Sequence, residues 1–568
     1  MKTRFTKLLL VTILLSASLT GGAWFYTHAT SQTPTHVFPR DFPAGQTLRD
    51  AIFNETVEDG DTIIVEFGTW PANLLVNKSI TLQGFNRYTT VLDGGWKGTA
   101  IYVNASNVNI FDFTIQNASG TGVLVHSVGD CNISRNVVKN NRYGVELWFA
   151  THCTLRSNDI RNNEYNFDVE GNCTEHMLHD VDESNTVDLK PVYYWVNRTV
   201  GTIPSGAGYV ALVNCTNIYA ANLHLRNSRQ GILIMSSANC TLQELETRHM
   251  DRGVLVMSST NVTIKNLDAE DSDTAIRFQS TNESRVEKAT MLGDSVGVEL
   301  WNSSNNTLRN NTIVGATIGV DVYWFSCGNN VCDNVFKDNY CGIQLGDCTD
   351  NTFCRNNFFN NTSSASSGES GNRWDNGYEG NYWSDYSGVG DLNGDGINEG
   401  QYNRNMPLER DRYPLNKPWS PCSTIDVTWY ADTIRKYNIT IMSDHVVANC
   451  SLRPDTEKLA NGSLFFNVTA GSSGYFNVTF PRDRLDQPFE LYINSSLVDS
   501  ADYEVDFTRD FVSLCYNFSE GRHRVNIICC RLGTVCGDLN GDGTVNMRDI
   551  GIVCNNFGAR LPPLCQCG

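Results

Sequence analysis

A short sequence pattern that recurs at a nearly constant spacing limits what this chain can fold into. The pattern is a small residue followed by an apolar, a variable and a second apolar residue. Its copies begin at Ala100, Gly122, Gly144, Asn166, Gly231, Gly253, Ala275, Gly297, Gly319 and Gly342. Within the two runs the spacing is 22 residues, and the last spacing is 23. A strict period of this length is typical of proteins that stack one repeated unit on the next.

The alternation within each copy has the period of a β-strand, so the repeat predicts strands rather than helices. About 22 residues make one coil of a parallel β-helix with two or three short strands. Val, Ile and Leu would stack inside. Asparagine pairs such as Asn140–Asn141 and Asn310–Asn311 would form turns, because Asn tolerates left-handed backbone and its amides can form ladders. The prediction is an all-β protein with a parallel β-helix at residues 45–360.

Other segments flank or interrupt this repeat. Residues 47–53 look like a short helix that caps the first coil. The register breaks at residues 187–207, which predicts an inserted hairpin or an enlarged coil. The aromatic-rich residues 361–420 would cap the other end, and strand-like alternations at residues 422–530 predict a β-sandwich.

The segment from Gly45 to about Pro414 resembles the NosD-like family of periplasmic copper-binding and carbohydrate-binding β-helices. The strings that carry the resemblance are Lys190–Trp195, Gly208–Cys215, Gln230–Leu233, Gly380–Asp385, Asp391–Gly396 and Asp411–Leu415. The resemblance implies a right-handed parallel β-helix, and it implies much less about activity.

The N-terminus predicts export. Basic residues in Met1–Lys7 precede an apolar run, so residues 1–29 are a cleaved secretory signal or an uncleaved anchor. Nineteen cysteines and many Asn-x-Ser/Thr sequons indicate an oxidising, extracellular or cell-surface location with dense glycosylation. An Asn- and Thr-rich repeat can also produce sequons by chance, which explains Asn302 or Asn310 but not the sequons beyond the repeats, from Asn438 to Asn517. The formal charge of −19 argues against nucleic acid as a partner.

The C-terminal residues 534–568 contain a loop with the ligand spacing of a calcium site. The oxygen ligands would be Asp538, Asn540, Asp542, the carbonyl of Thr544, Asn546 and Asp549. Gly543 lies where such a loop turns sharply. The loop resembles a dockerin repeat, which implies a cohesin-like partner, but a dockerin normally has two repeats and no second loop follows here.

An earlier acidic loop begins in the same way. Its calcium ligands would be Asp391, Asn393, Asp395 and Glu399, because Tyr402 occupies the position where a dockerin-type loop has its last carboxylate. The alternative is an Asx-rich turn without a metal.

Residues two and four positions after each glycine are expected to point outward from the coils. Two outward groups combine carboxylates with aromatic rings: Arg277, Glu299, Trp301, Asp321 and Tyr323, and Glu146, Trp148 and Asp168. Because adjacent coils lie about 4.8 Å apart, the members of each group should be neighbours. Aromatic faces can stack on sugar rings, and paired carboxylates serve glycoside chemistry. We predict carbohydrate binding here, and the alternative is a solvated polar surface.

Two classes of function stay open. The favoured class is a secreted or cell-surface protein that binds polysaccharide and is stabilised by calcium. The alternative is a polysaccharide lyase, hydrolase or epimerase, with Glu299, Asp321 and Arg277 as candidate catalytic residues. The short Asp-Pro-His-type strings of known β-helix polysaccharide enzymes are absent from the sequence.

Copper is a weaker alternative, because its ligands should stack at one coil position. Met235 and Met257 do stack at this spacing, whereas the histidines do not, and the close pair is His176 and His179.

The cysteine spacing predicts disulfides between coils. The candidate pairs are Cys131–Cys153 and Cys332–Cys354, 22 residues apart, and Cys327–Cys348, 21 residues apart. Stacked positions about 4.8 Å apart lie within the range that a disulfide accepts. The alternative is buried free thiols that pack as small apolar residues. Cys173 is expected to stay unpaired.

Overall fold

The computed structural model describes residues 34–392 and 396–419, together with strands between residues 423 and 529. The predicted signal at residues 1–29, the calcium ligands Asn393 and Asp395, and the dockerin-like residues 534–568 lie outside the described residues. Among the described residues, no helix has the length and hydrophobicity of a membrane span.

The first coil begins with strand Thr35–Phe38, which pairs in parallel with Thr62–Val65. Helix Leu48–Phe53 lies at this end, as the sequence predicts. The Thr47 hydroxyl accepts a hydrogen bond from the Asp50 backbone, and the Asp50 carboxylate accepts one from the Thr47 backbone. This capping box satisfies two backbone donors at the start of the helix.

Residues 35–187 stack as a first solenoid with three parallel sheets. One sheet contains Thr35–Phe38, Thr62–Val65, Thr81–Gly84, Asn109–Phe111, Asn132–Ser134, Thr154–Arg156 and Asp180–Val181. The next contains Gly68–Pro71, Thr90–Asp93, Thr114–Gln116, Val137–Lys139, Asp159–Arg161 and Thr186–Val187. The third contains Leu74–Val76, Ile101–Val103, Thr121–His126, Tyr143–Trp148 and Tyr165–Glu170. A short 3-10 helix follows at Thr174–Met177.

A second solenoid starts at Lys190 and places the glycine pattern on one long sheet. The strands of this sheet are Lys190–Val196, Tyr209–Val213, Gln230–Met235, Arg252–Met257, Thr274–Gln279, Val296–Trp301, Ile318–Tyr323, Cys341–Gly346 and Ser363–Ser367. The facing sheet contains Gly201–Ile203, Ile218–Arg226, Thr241–Arg248, Thr263–Glu270, Arg285–Glu287, Thr290–Leu292, Thr307–Arg309, Thr312–Val314, Asn330–Cys332, Val335–Lys337, Thr352–Cys354, Asn357–Phe359 and Tyr382–Trp383.

The two solenoids meet at a hairpin. Strand Thr186–Val187 pairs antiparallel with Lys190–Val196, whereas the strands on either side pair in parallel. The predicted break in register is therefore a chain reversal that separates two stacks of coils.

The outer face of the second solenoid covers the end of the first. Leu233, Met235, Leu255 and Met257 were expected to point outward, yet each is at most 5% exposed. They belong to the same buried cluster as Val169 and other core residues of the first solenoid. Their side chains do leave their own coils, but apolar contact with the first solenoid excludes water from them.

Asparagine forms the predicted turns and ladders. Asn310 has a φ of 56°, and the next residue starts a ladder through the core. Asn311 Nδ2 donates to Asn334 Oδ1 at 2.9 Å, Asn334 to Asn356 at 3.0 Å, and Asn356 to Asn381 at 2.9 Å. Each amide repeats one coil later, so the buried turns satisfy their polar groups without water.

Two buried carboxylates end these ladders. A second ladder runs through Asn306, Asn329, Asn351 and Asn372. Asn372 Nδ2 donates to Glu409 Oε1 at 2.9 Å. At the end of the first ladder, the Asn381 backbone N–H donates to Asp411 Oδ2 at 2.7 Å. The Trp383 indole also donates to Asp411, at 2.8 Å. Burial raises the pKa of Asp411 to about 7. The aromatic-rich segment therefore closes the second solenoid with acceptors that match the last amides.

The strands between residues 423 and 529 form two antiparallel five-stranded sheets. One contains Ser423–Tyr430, Lys436–Ser443, Gly474–Pro481, Tyr503–Phe507 and Phe511–Phe518, and the other Val446–Pro454, Gly462–Ala470, Phe489–Ile493, Ser496–Leu497 and Gly521–Cys529. Packing of these sheets as a β-sandwich stays a prediction.

The disulfide prediction is confirmed for one pair. Cys332 and Cys354 are bonded, with Cα atoms 4.8 Å apart. Cys173 is a free, exposed thiol, as expected.

The other two predicted disulfides are absent from the described structure. Cys131 and Cys153 are buried free thiols, and Cys327 and Cys348 are also unbonded. Cys131 Sγ instead lies 3.4 Å from the Gly129 carbonyl oxygen. These thiols serve as weak donors and small apolar side chains, the alternative that buried cysteines allow.

Candidate functional site

The strand register brings the first predicted group together. Arg277 pairs with Glu299, and Glu299 pairs with Asp321 in the next coil. Trp301 and Tyr323 pair in the same way. The predicted carboxylates and aromatic rings therefore lie side by side on the outer face of the long sheet, which we call the acidic face.

Glu299 is held by two neighbours. Arg277 Nε lies 3.2 Å from Glu299 Oε2, and the Tyr323 hydroxyl donates to Glu299 Oε1. Burial and the charge of Glu299 raise the pKa of Asp321 to about 6, although a hydrogen bond to Gln344 opposes the shift. Asp321 can therefore gain or lose a proton near neutral pH, next to a carboxylate already paired with arginine.

Aromatic rings extend the acidic face beyond the predicted residues. Trp324 is 51% exposed and Phe325 is 68% exposed. The rings of Trp301 and Trp324 lie 6.3 Å apart, and those of Trp324 and Phe325 lie 6.1 Å apart. We call Trp301, Trp324 and Phe325 the aromatic strip.

Sequence reasoning missed Trp324 and Phe325, because both follow the strand rather than lying in it. Both have positive φ, 56° and 63°. Ser258, Ser280 and Asn302 have a similar positive φ at the position of their coils that matches Trp324, so this conformation belongs to the regular turn of the solenoid. The signal in the sequence was a pair of aromatic residues directly after the strand, where the turns of the preceding coils of the second solenoid begin with serine or asparagine.

The second predicted group is covered rather than exposed. Glu146 pairs with Asp168, as expected, but they are 5% and 2% exposed. Arg229 of the second solenoid lies 3.0 Å from Asp168 Oδ2 and 3.6 Å from Glu146 Oε1. The Thr121 hydroxyl also donates to Glu146. Burial raises the pKa of Asp168 to about 7, against the opposing charge of Arg229.

Trp148 stays at the surface beside this junction. It is 39% exposed, and its ring lies edge-on to His126 at 5.6 Å. His126 in turn stacks on Tyr102 at 5.8 Å. Of the second group, Trp148 alone keeps a surface on which a sugar could lie.

Copper binding by the predicted residues stays a prediction, and the structure shows the other contacts that they make. The His179 ring accepts from the Cys153 N–H and contacts the His176 carbonyl oxygen, and burial lowers its pKa to about 4. Met235 and Met257 are register neighbours among apolar side chains. In the part of the chain that the structure describes, no group of three or more His, Cys, Asp or Glu residues could hold a metal ion.

One carboxylate of the earlier acidic loop accepts hydrogen bonds from neighbouring groups. Asp391 Oδ2 accepts from the Gly396 N–H at 2.9 Å and from Asn416 Nδ2 at 2.6 Å. Glu399 lies in the same loop, with its backbone N–H directed to the Gly390 carbonyl. Calcium binding by this loop and by the C-terminal loop stays a prediction.

Two family models match adjacent parts of the chain. Residues 72–187 match the model described as "right handed beta helix region", and residues 181–388 match the one described as "periplasmic copper-binding protein (NosD)". The boundary between the two matches falls at the hairpin that joins the solenoids.

A curated relative is the "cell surface glycoprotein" of Methanothermus fervidus, 31% identical over 138 residues. The match covers 24% of this chain and 21% of the relative, so this chain spans about a fifth of that protein's length.

Solved structures with low similarity include the A-module of a mannuronan C-5 epimerase from Azotobacter vinelandii, at 13% identity and a TM-score of 0.29. It covers 57% of this chain and 91% of that one. A tailspike protein of the E. coli bacteriophage HK620, in complex with pentasaccharide, has 10% identity and a TM-score of 0.31, with 88% and 94% covered. TM-scores this low are not evidence of a shared site. The parallel register shows that this chain contains a parallel β-helix, and its residues 72–187 are similar to the right-handed β-helix region described by the family model.

Proposed function

We propose that this chain is an exported cell-surface protein that binds polysaccharide on the acidic face of its second solenoid. The observation that carries the proposal is the aromatic strip beside Glu299 and Asp321. Three neighbouring rings offer flat apolar surface to sugar rings, and the half-buried Asp321 offers acceptor oxygens to sugar hydroxyls. The sequons, the cysteine content and the match to a cell surface glycoprotein support the location.

The charge of the face narrows the class of glycan. Arg277 is paired with Glu299, so ionisation of Asp321 leaves the group with a net negative charge. A polymer rich in carboxylates would meet like charge there, which is unfavourable. Neutral or amino-sugar polysaccharides are therefore the proposed ligands.

The test is retention of the full chain on immobilised neutral, amino and acidic glycans. Replacing Trp301 and Trp324 by Ala should reduce retention on the ligand glycan and leave the melting temperature unchanged. Trp96→Ala is the matched control, because Trp96 is a 65% exposed tryptophan on the first solenoid. Equal retention of the double variant and the control would contradict the proposal.

Catalysis on the bound glycan is the second candidate. Asp321, with its pKa of about 6, could exchange a proton beside Glu299 and Tyr323. Incubation with each retained glycan should then yield shorter, unsaturated or epimerised products, and Glu299→Gln or Asp321→Asn should abolish them. Retention without products would leave binding as the function.

Calcium is proposed as a stabilising ion. The oxygen spacing from Asp538 to Asp549 supports the C-terminal site. Calorimetric titration of the full chain with calcium should show one binding event fewer in Asp549→Ala than in the wild type. Unchanged heats of calcium binding in this variant would contradict the site. A cohesin-like partner is proposed only if the C-terminal loop binds calcium.

A further inference from the structure

One edge of the second solenoid carries a row of exposed sequons. The row follows the strands of the long sheet, in the turns that lead to the facing sheet. Its asparagines are Asn197, Asn214, Asn239, Asn261, Asn282, Asn302 and Asn305. All seven are exposed. Parallel bridges from Ala238 to Thr260 and from Thr260 to Asn282 show that these turns stack directly on one another.

Asn302 differs from the rest of the row, because aromatic rings flank it. It follows Trp301 directly in the chain. Its backbone N–H donates to the Tyr323 carbonyl, and the Trp324 N–H donates likewise to the Gly346 carbonyl. Asn302 and Trp324 therefore occupy equivalent positions one coil, about 4.8 Å, apart. A group attached to Asn302 would emerge between two rings of the aromatic strip.

We infer that Asn302 carries an N-linked glycan whose first sugars lie on the aromatic strip. The inference rests on the exported location proposed above. The donor is a lipid-linked oligosaccharide. Asn302 Nδ2 forms a bond to the anomeric carbon, the carbon–oxygen bond to the lipid phosphate breaks, and one amide proton leaves with the lipid phosphate.

The local hydrogen bonds are compatible with this modification. Asn302 Nδ2 donates to Ser280 Oγ at 3.0 Å. A glycosylated amide keeps one N–H, so that bond can persist while the other position carries the sugar. The half-buried Trp301 and the exposed Trp324 then offer the attached sugar a stacking surface.

The attached glycan competes with free polysaccharide for the acidic face. A tethered ligand reaches a nearby site at an effective concentration of about millimolar. Free polysaccharide must therefore displace the chain's own glycan from Trp301 and Trp324 before it can contact them.

The experiment combines glycopeptide mapping with hydroxyl-radical oxidation of the full chain, produced in cells that export and N-glycosylate it. The peptide containing Asn302 should carry a glycan. In Asn302→Gln, oxidation of Trp324 should rise severalfold. Asn261→Gln is the matched control, an exposed sequon on the same edge without aromatic neighbours, and it should leave Trp324 oxidation unchanged.

An unmodified Asn302 in the exported chain would overturn the inference. A glycosylated Asn302 with equal Trp324 oxidation in both proteins would overturn the stacking. Neither readout uses added polysaccharide. A glycan on Asn302 can therefore be shown even if the chain binds no polysaccharide column, and column binding can be shown even if Asn302 is unmodified.

Discussion

The chain contains the same five-residue string twice, Gly144–Trp148 in the first solenoid and Gly297–Trp301 in the second. In both places glutamate pairs with an aspartate one coil later and lies near an arginine. The first pair is covered at the junction by Arg229 and is 5% and 2% exposed, whereas in the second pair Glu299 is 9% exposed and Asp321 is half-buried, beside exposed rings. A local string thus fixes strand, register and side-chain direction, but the packing of whole solenoids decides whether a ligand can reach it.

The largest expected effect is a pH-dependent difference in stability at the buried pair. The pKa of Asp168 is raised from 3.8 to about 7, so the folded chain binds this proton more tightly than the unfolded chain. That stabilisation is complete below pH 4 and is lost as the pH rises to 7. Relative to Asp168→Asn, the wild type should lose on the order of 4 kcal/mol of unfolding free energy across this range.

Denaturant unfolding at several pH values measures this difference. Asp321→Asn is the control from the acidic face, where the corresponding loss should be smaller and end near pH 6. Parallel profiles for wild type and Asp168→Asn would show that the junction does not hold this proton.

The two arginines give the next contrast. Arg229→Ala removes the cation nearest Asp168 and should cost about 3 kcal/mol of unfolding free energy at pH 7, because a buried carboxylate loses its partner. Arg277→Ala should cost less, on the order of 1 kcal/mol, because Glu299 keeps the Tyr323 hydroxyl as a hydrogen-bond donor. Equal costs in denaturant unfolding would remove the distinction between the two sites.

The stacked cysteine pairs extend the comparison to covalent bonds. Replacing both Cys332 and Cys354 by Ser should cost about 3 kcal/mol, because the bond closes a 22-residue loop. Replacing Cys131 by Ser should cost about 1 kcal/mol, since it removes no bond. Non-reducing peptide mapping checks the premise: Cys332 and Cys354 should be linked, and Cys131 and Cys153 should be alkylated without reduction.

The smallest expected effect concerns the two tryptophans of the repeated string. Trp148→Ala should change retention on the ligand glycan less than Trp301→Ala, because the carboxylates beside Trp148 are covered. Side-by-side chromatography of the two variants measures this, and a greater loss for Trp148→Ala would move the proposed site to the first solenoid.

Much of the fold could be predicted from the sequence, because its determinants are periodic. The period of 22 places Glu299 beside Asp321, and the asparagine pairs place Asn310 in a turn and Asn311 in a ladder. Such contacts repeat from coil to coil, so one spacing predicts them all.

The junction could not be predicted in this way. Arg229 reaches Asp168 across 61 residues, and its position depends on the chain reversal at residues 186–191. A repeat period cannot predict a contact that occurs only once. The cysteines teach the same lesson, because Cys131–Cys153 and Cys332–Cys354 share a spacing and differ in bonding.

Hydroxyl-radical footprinting with and without the retained glycan tests the central claim, that glycan binds the face with Glu299 and Asp321 and not the one whose carboxylates Arg229 covers. The chain should carry Asn302→Gln, so that no attached sugar competes. Glycan should protect Trp301 and Trp324 and leave Trp148 as reactive as before. Protection of Trp148 with unchanged Trp301 and Trp324, or protection of none of the three, would contradict the account.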